Sequence, residues 1–217
     1  MIGKLTHTSM SALSPAYDNK IVRKYSARTI EHKAENKAAL AEELGWIFEP
    51  RQPILCLPCG LTDELGGELF HQVLPGILEL PVNIIVRGRG SKKYGELFTS
   101  LTKNMKHRVA IIQDDEIHLR KMLAGSDMAI FFSDKEEEEF ENALRYGVVP
   151  ITPPRDTVEN YNPVQEIGNS FVYENPTPWL CFASLVRALE TFKFPYDWRT
   201  IERHAMESVD RRTVIQV

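Results

Sequence analysis

Short apolar runs alternate with amphipathic segments of helical length through most of this chain, and that alternation restricts the folds open to it. The runs Ile54–Pro58, Val82–Val86, Arg108–Ile112, Met128–Phe132 and Val148–Thr152 are too short for helices, and each ends in turn chemistry or charge. They are expected to be buried strands. Between them, Asp63–Leu80, Ser91–Met105, Asp115–Ala124 and Lys135–Tyr146 repeat their apolar residues at three- and four-residue spacing, as one-sided helices do. Buried strands joined by helical crossovers run parallel and are covered on both faces. The expected fold is therefore α/β, a Rossmann-like parallel sheet with helices on both faces.

The flanks add further elements. His32–Leu44 is rich in Ala, Glu, Leu and Lys and stops at Gly45, which suits a helix C-terminus. Downstream, Asn169–Tyr173 reads as a sixth strand. Thr177–Phe192 reads as a helix capped by Thr177 with Pro178 at its first position, and Asp197–Met206 as another helix. Met1–Ala27 shows only weak periodicity and is expected to be a strap or a partly disordered extension. The expected division is residues 1–27 as extension, 28–208 as one domain and 209–217 as tail. A chain of 217 residues, 43% hydrophobic, is long enough for one large core.

Charge and cysteine usage exclude several classes. With 26 basic against 30 acidic residues the net charge is −4, and no bulk positive field draws in nucleic acid or an anionic membrane. The N-terminus lacks the layout of a secretory signal and no stretch has the length of a membrane helix, so a cytoplasmic location is expected. Cys56 and Cys59 form a C-x-x-C inside an apolar run rather than at a helix N-terminus, and with Cys181 they read as buried structural thiols. Three thiols and unpaired histidines offer no zinc set, so no metal site is expected.

Open parallel sheets bind ligands beyond the carboxyl ends of their strands. The loops to inspect are Cys59–Gly67, Gly88–Lys93, Gln113–Glu116, Phe132–Glu139 and Thr152–Asp156. In the second of these, Arg87, Arg89, Lys92 and Lys93 surround Gly88 and Gly90, where small residues admit a ligand close to the backbone and the cations suit a phosphate. The other reading of this loop is a solvated basic turn that starts a helix. The acidic run Glu136–Glu139 reads as an exposed first helical turn, because consecutive carboxylates fan out around a helix instead of converging on a metal. His71, His107 and His118 have no adjacent nucleophile and read as surface or capping groups. Trp46, Trp179 and Trp198 are expected to anchor helices to the sheet, and Asp156 and Thr157 to serve as turn and cap residues.

The segments KYSARTIEHKAENKAALAEELG, GLTDELGG, VNIIVRGRGSKKYGELF, AGSDMAIFFSD, ALRYGVVPI, RDTVENYNP and ERHAM follow one another as they do in bacterial glycogen and starch synthases. Over about Ser11 to Met206 the chain resembles the C-terminal, nucleotide-sugar-binding half of these retaining GT-B enzymes, which move glucose from ADP-glucose to a glucan. The resemblance implies a GT-B half-domain with no resident cofactor, and a donor that is ADP-glucose or another nucleotide sugar. It also marks departures. In the loop resembling S-R-L-T-x-Q-K-G, Gly60 stands at the arginine and Leu65 at the lysine, while Asp63 and Glu64 remain. Asp114 stands where an aromatic ring would stack on adenine, with Glu116 retained. Ser133, Asp134, Lys135 and Glu136–Glu139 replace E-P-C-G-L-T-Q in a loop about two residues shorter, and four carboxylates in a first turn oppose a diphosphate. Pro153, Pro154 and Arg155 lead into Asp156, Thr157 and Val158 through a shortened loop.

The candidate donor contacts are therefore Gly60, Thr62, Gly88, Arg89, Gly90, Lys92 and Glu116, with no catalytic residue among them. The first GT-B domain is not visible in the chain, although TSMSALSPAY resembles its exit, and half an active site neither excludes water nor positions an acceptor. The chain is expected to be inactive alone. Its candidate partners are a nucleotide sugar or glucan, a separate chain carrying the missing half, or a second copy of itself. The alternatives are the active half of a split glucosyltransferase and a non-catalytic interaction module.

Overall fold

The computed structural model describes residues 13–215, and the side chains of residues 13–209. Six strands, β1 (Ile54–Leu57), β2 (Asn83–Arg87), β3 (Val109–Ile112), β4 (Met128–Ile130), β5 (Val149–Thr152) and β6 (Phe171–Val172), form one sheet in the order β3-β2-β1-β4-β5-β6. Every neighbouring pair is parallel. The helices are α1 (Lys33–Glu43), α2 (Gly67–Glu79), α3 (Lys92–Asn104), α4 (Glu116–Gly125), α5 (Glu137–Arg145), α6 (Pro178–Phe192) and α7 (Pro195–Ile215).

Strand alternation divides the core in two. Leu55, Leu57, Ile84, Val86, Met128 and Ile130 face α2, α3 and α6, while Ile54, Cys56, Ile85, Ala129 and Phe131 face α1, α4, α5 and the later turns of α7. Both faces are covered, as the alternating sequence requires.

Several boundaries differ from expectation. The segment expected as one helix over Asp63–Leu80 begins as a 3-10 turn, Asp63–Leu65, and restarts as α2 at Gly67. Gly66 breaks it with φ +77°, and a side chain there would strike Phe132. β4 and β6 are shorter than their apolar runs, and α7 continues to Ile215, well past Met206. Of the first 27 residues, 1–12 lie outside the described part. The rest is a packed strap: Tyr25 is buried and donates from its hydroxyl to Tyr146 O at 2.8 Å, while the buried Asp18 carboxylate meets Arg120 at 3.2 Å and the Tyr146 hydroxyl.

Trp46 and Trp198 are core residues, but Trp179 is 75% exposed and anchors nothing to the sheet, because it occupies the outward face of the first turn of α6. The three cysteines are free; burial pushes the Cys56 thiol up to about 12 and raises Cys59 as well, the reverse of a redox motif.

A cluster of buried charges lies at the amino ends of the strands. Asp127, just before β4, accepts from Ile54 N–H at 2.7 Å and pairs with Lys37 at 2.8 Å, both side chains over nine-tenths buried. Lys33 donates to the carbonyls of Leu123, Ala124 and Tyr146 at 2.9, 3.2 and 2.9 Å. Burial pushes the Glu202 carboxyl of α7 up to about 8, partly offset by Lys33 nearby.

Two consequences are measurable. Asp127→Ala strands a buried ammonium and a strand-end N–H, and is expected to cost about 3–5 kcal/mol in urea denaturation, whereas the Lys37→Met/Asp127→Leu double variant loses less. Because the folded pKa of Glu202 lies above its unfolded value, the stability it contributes is full below about pH 4.5 and is lost as pH rises through about 8. The urea midpoint of the wild type is expected to fall between about pH 5 and 8 more steeply than that of Glu202→Gln.

Candidate functional site

The chain winds from β1 outward through β2 and β3, then returns to the other side of β1 with β4. The crevice at that reversal, beyond the carboxyl ends of β1 and β4, is where an open parallel sheet takes a ligand. Here its loops are fastened to one another. Leu61 and Gly90 form a bridge between the loops after β1 and β2, with Leu61 N–H donating to Arg89 O at 3.4 Å and Ser91 N–H to Leu61 O at 3.0 Å.

The glycines serve that contact. Gly60 has φ +66°, and a Cβ on it would lie 2.1 Å from Arg89 O and 2.6 Å from Arg89 Cγ. On Gly90, φ +124°, it would lie 2.2 Å from Leu61 O, and on Gly88 it would lie 2.6 Å from Ile112 O. The small residues expected to admit a ligand instead admit neighbouring backbone.

The cations are likewise engaged. Arg87 Nε lies 2.6 Å from Asp114 Oδ1, a charge contact without hydrogen-bond alignment, and Arg87 Nη1 lies 3.2 Å from Glu139 Oε1. Arg89 Nη1 reaches the same Glu139 oxygen at 2.8 Å. Glu139, in the first turn of α5, spans from the β4 loop to the β2 loop, and its side chain and that of Arg87 are each only 12% exposed. The two arginines of this loop thus differ in setting, Arg87 being largely buried and Arg89 39% exposed, but both are paired with a carboxylate of the same chain.

The acidic run is correspondingly not a uniformly exposed turn. Glu139 is bound by two arginines, and Glu137 pairs with Arg155 at 3.1 Å. Glu136, largely through burial and then through repulsion by Glu139, holds its proton more tightly than an ordinary carboxyl. Arg155 braces the β4 loop by donating to the carbonyls of Ser133 and Asp134 while lying 4.1 Å from the Phe140 ring centroid. Burial lowers its pKa, partly offset by Glu137.

The remaining candidates stand apart from the arginine–Glu139 contact, although Lys92 shares the wall of an outer cleft with Gly88, Arg89 and Gly90. Thr62 caps the 3-10 turn, its hydroxyl accepting from Leu65 N–H at 3.2 Å. Lys92 is 90% exposed and reaches only Glu96, at 3.7 Å along its own helix. Lys93 donates to Asp63 at 3.1 Å, and Asp63 also accepts from the Tyr94 hydroxyl, which depresses the pKa of Asp63. Glu116 pairs with Arg120, whose other partner is Asp18 of the strap. The site thus unites Gly60, Arg89 and Gly90 with Arg87, Asp114 and Glu139. The ion pairs among these last residues join positions 27 and 52 apart in sequence, which no local pattern announces.

Little space remains between the β1 and β4 loops. The cavity there, bounded by Cys59, Gly60, Phe132 and Glu136, measures about 10 Å³, at the limit for a single water. A cleft of about 390 Å³ opens farther out, between the β2 loop and α3, with Arg87, Arg89, Ser91, Gly95 and Ile111 on its walls. Among the described residues no three His, Cys, Asp or Glu side chains converge as a metal set, and no helix is long and apolar enough to cross a membrane.

No protein-family model matches the chain. A glycogen synthase of Fervidobacterium nodosum is 30% identical over 213 residues, which is 95% of this chain and 44% of that protein. A glycogen synthase of Clostridium perfringens is 31% identical over 202 residues, 90% of this chain and 42% of that one. The chain therefore resembles the C-terminal half of glycogen synthases and spans less than half the length of these relatives. In fold it matches the catalytic domain of starch synthase IV from Arabidopsis thaliana bound to ADP and acarbose, with a TM-score of 0.80 at 22% identity over 90% of this chain and 43% of that one. The architecture is that of a GT-B half-domain.

If Glu139 is what occupies the two guanidinium groups, Glu139→Gln frees them. Titration calorimetry at low salt is expected to show inorganic pyrophosphate binding to this variant about tenfold tighter than to the wild type, with the gain lost near 0.5 M salt.

Proposed function

We propose that this chain is a glycosyltransferase half-domain of the glycogen and starch synthase type whose donor crevice is closed, so that it transfers no glucose by itself and works through a partner. The observation that carries this reading is the pair of arginine contacts to Glu139 across the crevice, at 2.8 and 3.2 Å. A diphosphate entering there must displace a carboxylate already held by two cations, and must do so beside Glu136 and Glu137. The filled space between Gly60 and Phe132 opposes it sterically. Gly60, Thr62, Gly88, Arg89, Gly90, Lys92 and Glu116 remain the positions aligned with donor contacts, now serving loop packing, capping and ion pairing. On this reading the protein has no resident cofactor and acts in the cytoplasm, and a nucleotide sugar such as ADP-glucose is a ligand only of the second reading below.

A second reading is the active half of a split glucosyltransferase, completed by a chain that supplies the first domain. The arginine pair favours it, since Arg87 and Arg89 lie just past the end of β2, next to the crevice. On that reading closure of the two halves would draw Glu139 away and leave the guanidinium groups for a leaving diphosphate.

Titration of ADP, UDP and ADP-glucose into the purified protein, followed by a glucose-transfer assay with a glucan acceptor, separates the two. The first reading expects no binding at millimolar ligand and no transfer with or without an added N-terminal half. Transfer that depends on the added half and disappears in Arg89→Ala would replace it with the second.

A further inference from the structure

A large cleft lies at the other end of the sheet. It measures about 520 Å³ and is walled by α1, by the segment entering β1 and by the junction of α6 and α7, beneath the amino ends of β1 and β4. The closed crevice and the glycine-arginine loop are at the opposite, carboxyl end.

Its chemistry is graded from floor to mouth. At the floor, Glu202 is buried yet makes no hydrogen bond and no ion pair among the described residues. Its neighbours there are already committed: Lys33 to three carbonyls, and Lys37 to Asp127, to Pro50 O at 3.3 Å and to the Phe192 ring at 4.9 Å. The wall is aromatic, with Phe48 39% exposed, Phe192 half-buried and Trp198 buried with an indole N–H that has no acceptor. At the mouth, Arg51 and Arg199 are exposed and form no ion pair among the described residues.

Buried polar groups are ordinarily satisfied, so an unpartnered carboxyl facing a cleft calls for an external partner. Three ligand classes fit poorly. An apolar ligand leaves Glu202 unpaired. An ammonium compound meets a lining of five cations, Lys33, Lys37, Arg51, Lys193 and Arg199, against the three acids Glu31, Asp127 and Glu202. A bare anion finds its cations at the mouth but a carboxyl at the floor. A ligand with hydroxyls at one end and an anionic group at the other answers every part. Hydroxyls both donate and accept, as a protonated carboxyl does. C–H faces rest on aromatic rings, and guanidinium groups bind phosphoryl oxygens.

We propose that this cleft binds a phosphorylated monosaccharide, its hydroxyls directed to Glu202, its ring against Phe48 and Phe192, and its phosphate between Arg51 and Arg199. The inference is independent of how the crevice at the opposite end is read, because it shares no residue with it.

The test is amide and indole NMR of the full chain titrated with glucose 1-phosphate and fructose 6-phosphate, with free glucose and inorganic phosphate as the two separate halves. The expected result is saturable shifts of the Trp198 indole and of the Phe48, Arg51 and Glu202 amides, with affinity for a hexose phosphate at least about tenfold above that for either half. Arg51→Ala and Arg199→Ala, both at exposed positions, are expected to fold and to weaken that binding at least about tenfold each. Phe48→Ala should weaken it without abolishing the response to phosphate. Shifts confined to Arg87–Lys93, equal affinity for inorganic phosphate alone, binding unchanged in both arginine variants, or no shift at ~10 mM ligand would each overturn the proposal.

Discussion

The Asp127 carboxylate holds together the two strands at which the sheet reverses direction. It accepts from Ile54 N–H, the first donor of β1, and from the Lys37 ammonium, while the Asp127 main chain pairs with Ile54 O on one side and Val149 N–H on the other. One residue therefore fixes the stagger of β1, β4 and β5 and ties α1 beneath them. Burying this charge is tolerable because both of its partners are strong donors fixed by other contacts. Everything at the opposite end of these strands, including the loops that meet over the crevice, inherits that register.

At the crevice end, the residues of the loops fit one another. Gly60 leaves room for the Arg89 backbone and stem, Asp114 meets Arg87, and Glu139 meets both arginines. Each of these residues would be unfavourable without the others: a missing side chain leaves a gap, and an unpaired carboxylate is costly to bury. Together they give a packed and electrically balanced set of loops. Arg155 completes the set by holding the β4 loop through its carbonyls and the Phe140 ring.

The two ends of the sheet thus differ in how their charges are satisfied. At the carboxyl end the arginines are matched by carboxylates of the same chain and the space between the β1 and β4 loops is nearly full. At the amino end Lys33 and Lys37 are engaged by other groups, but Glu202, Arg51 and Arg199, which line a large open cleft, make no hydrogen bond or ion pair among the described residues. Ligand chemistry in a folded chain depends on such leftover capacity, not on the mere presence of charged residues.

The fold was legible because its signals are local. Periodicity gave the strands of a parallel sheet and the helices between them, and ordered motifs carried the resemblance to one half of a glucosyltransferase. The misjudged elements all depended on distant neighbours: the helix expected across Asp63–Leu80 broke where Gly66 meets Phe132, and Trp179 points to solvent where Trp46 and Trp198 are buried. The candidate site was legible as a set of loops but not as chemistry. Arg87, Arg89 and Glu139 read from the sequence as a basic turn and an acidic turn separated by about fifty residues, and ion pairing acts through space over a few ångströms without regard to that separation. The sequence by itself determined which segments become strands and helices, and which loops gather at the carboxyl edge. Only the tertiary structure decided that those loops neutralise one another while the opposite edge keeps an unpartnered carboxyl, because charge satisfaction depends on which side chains meet.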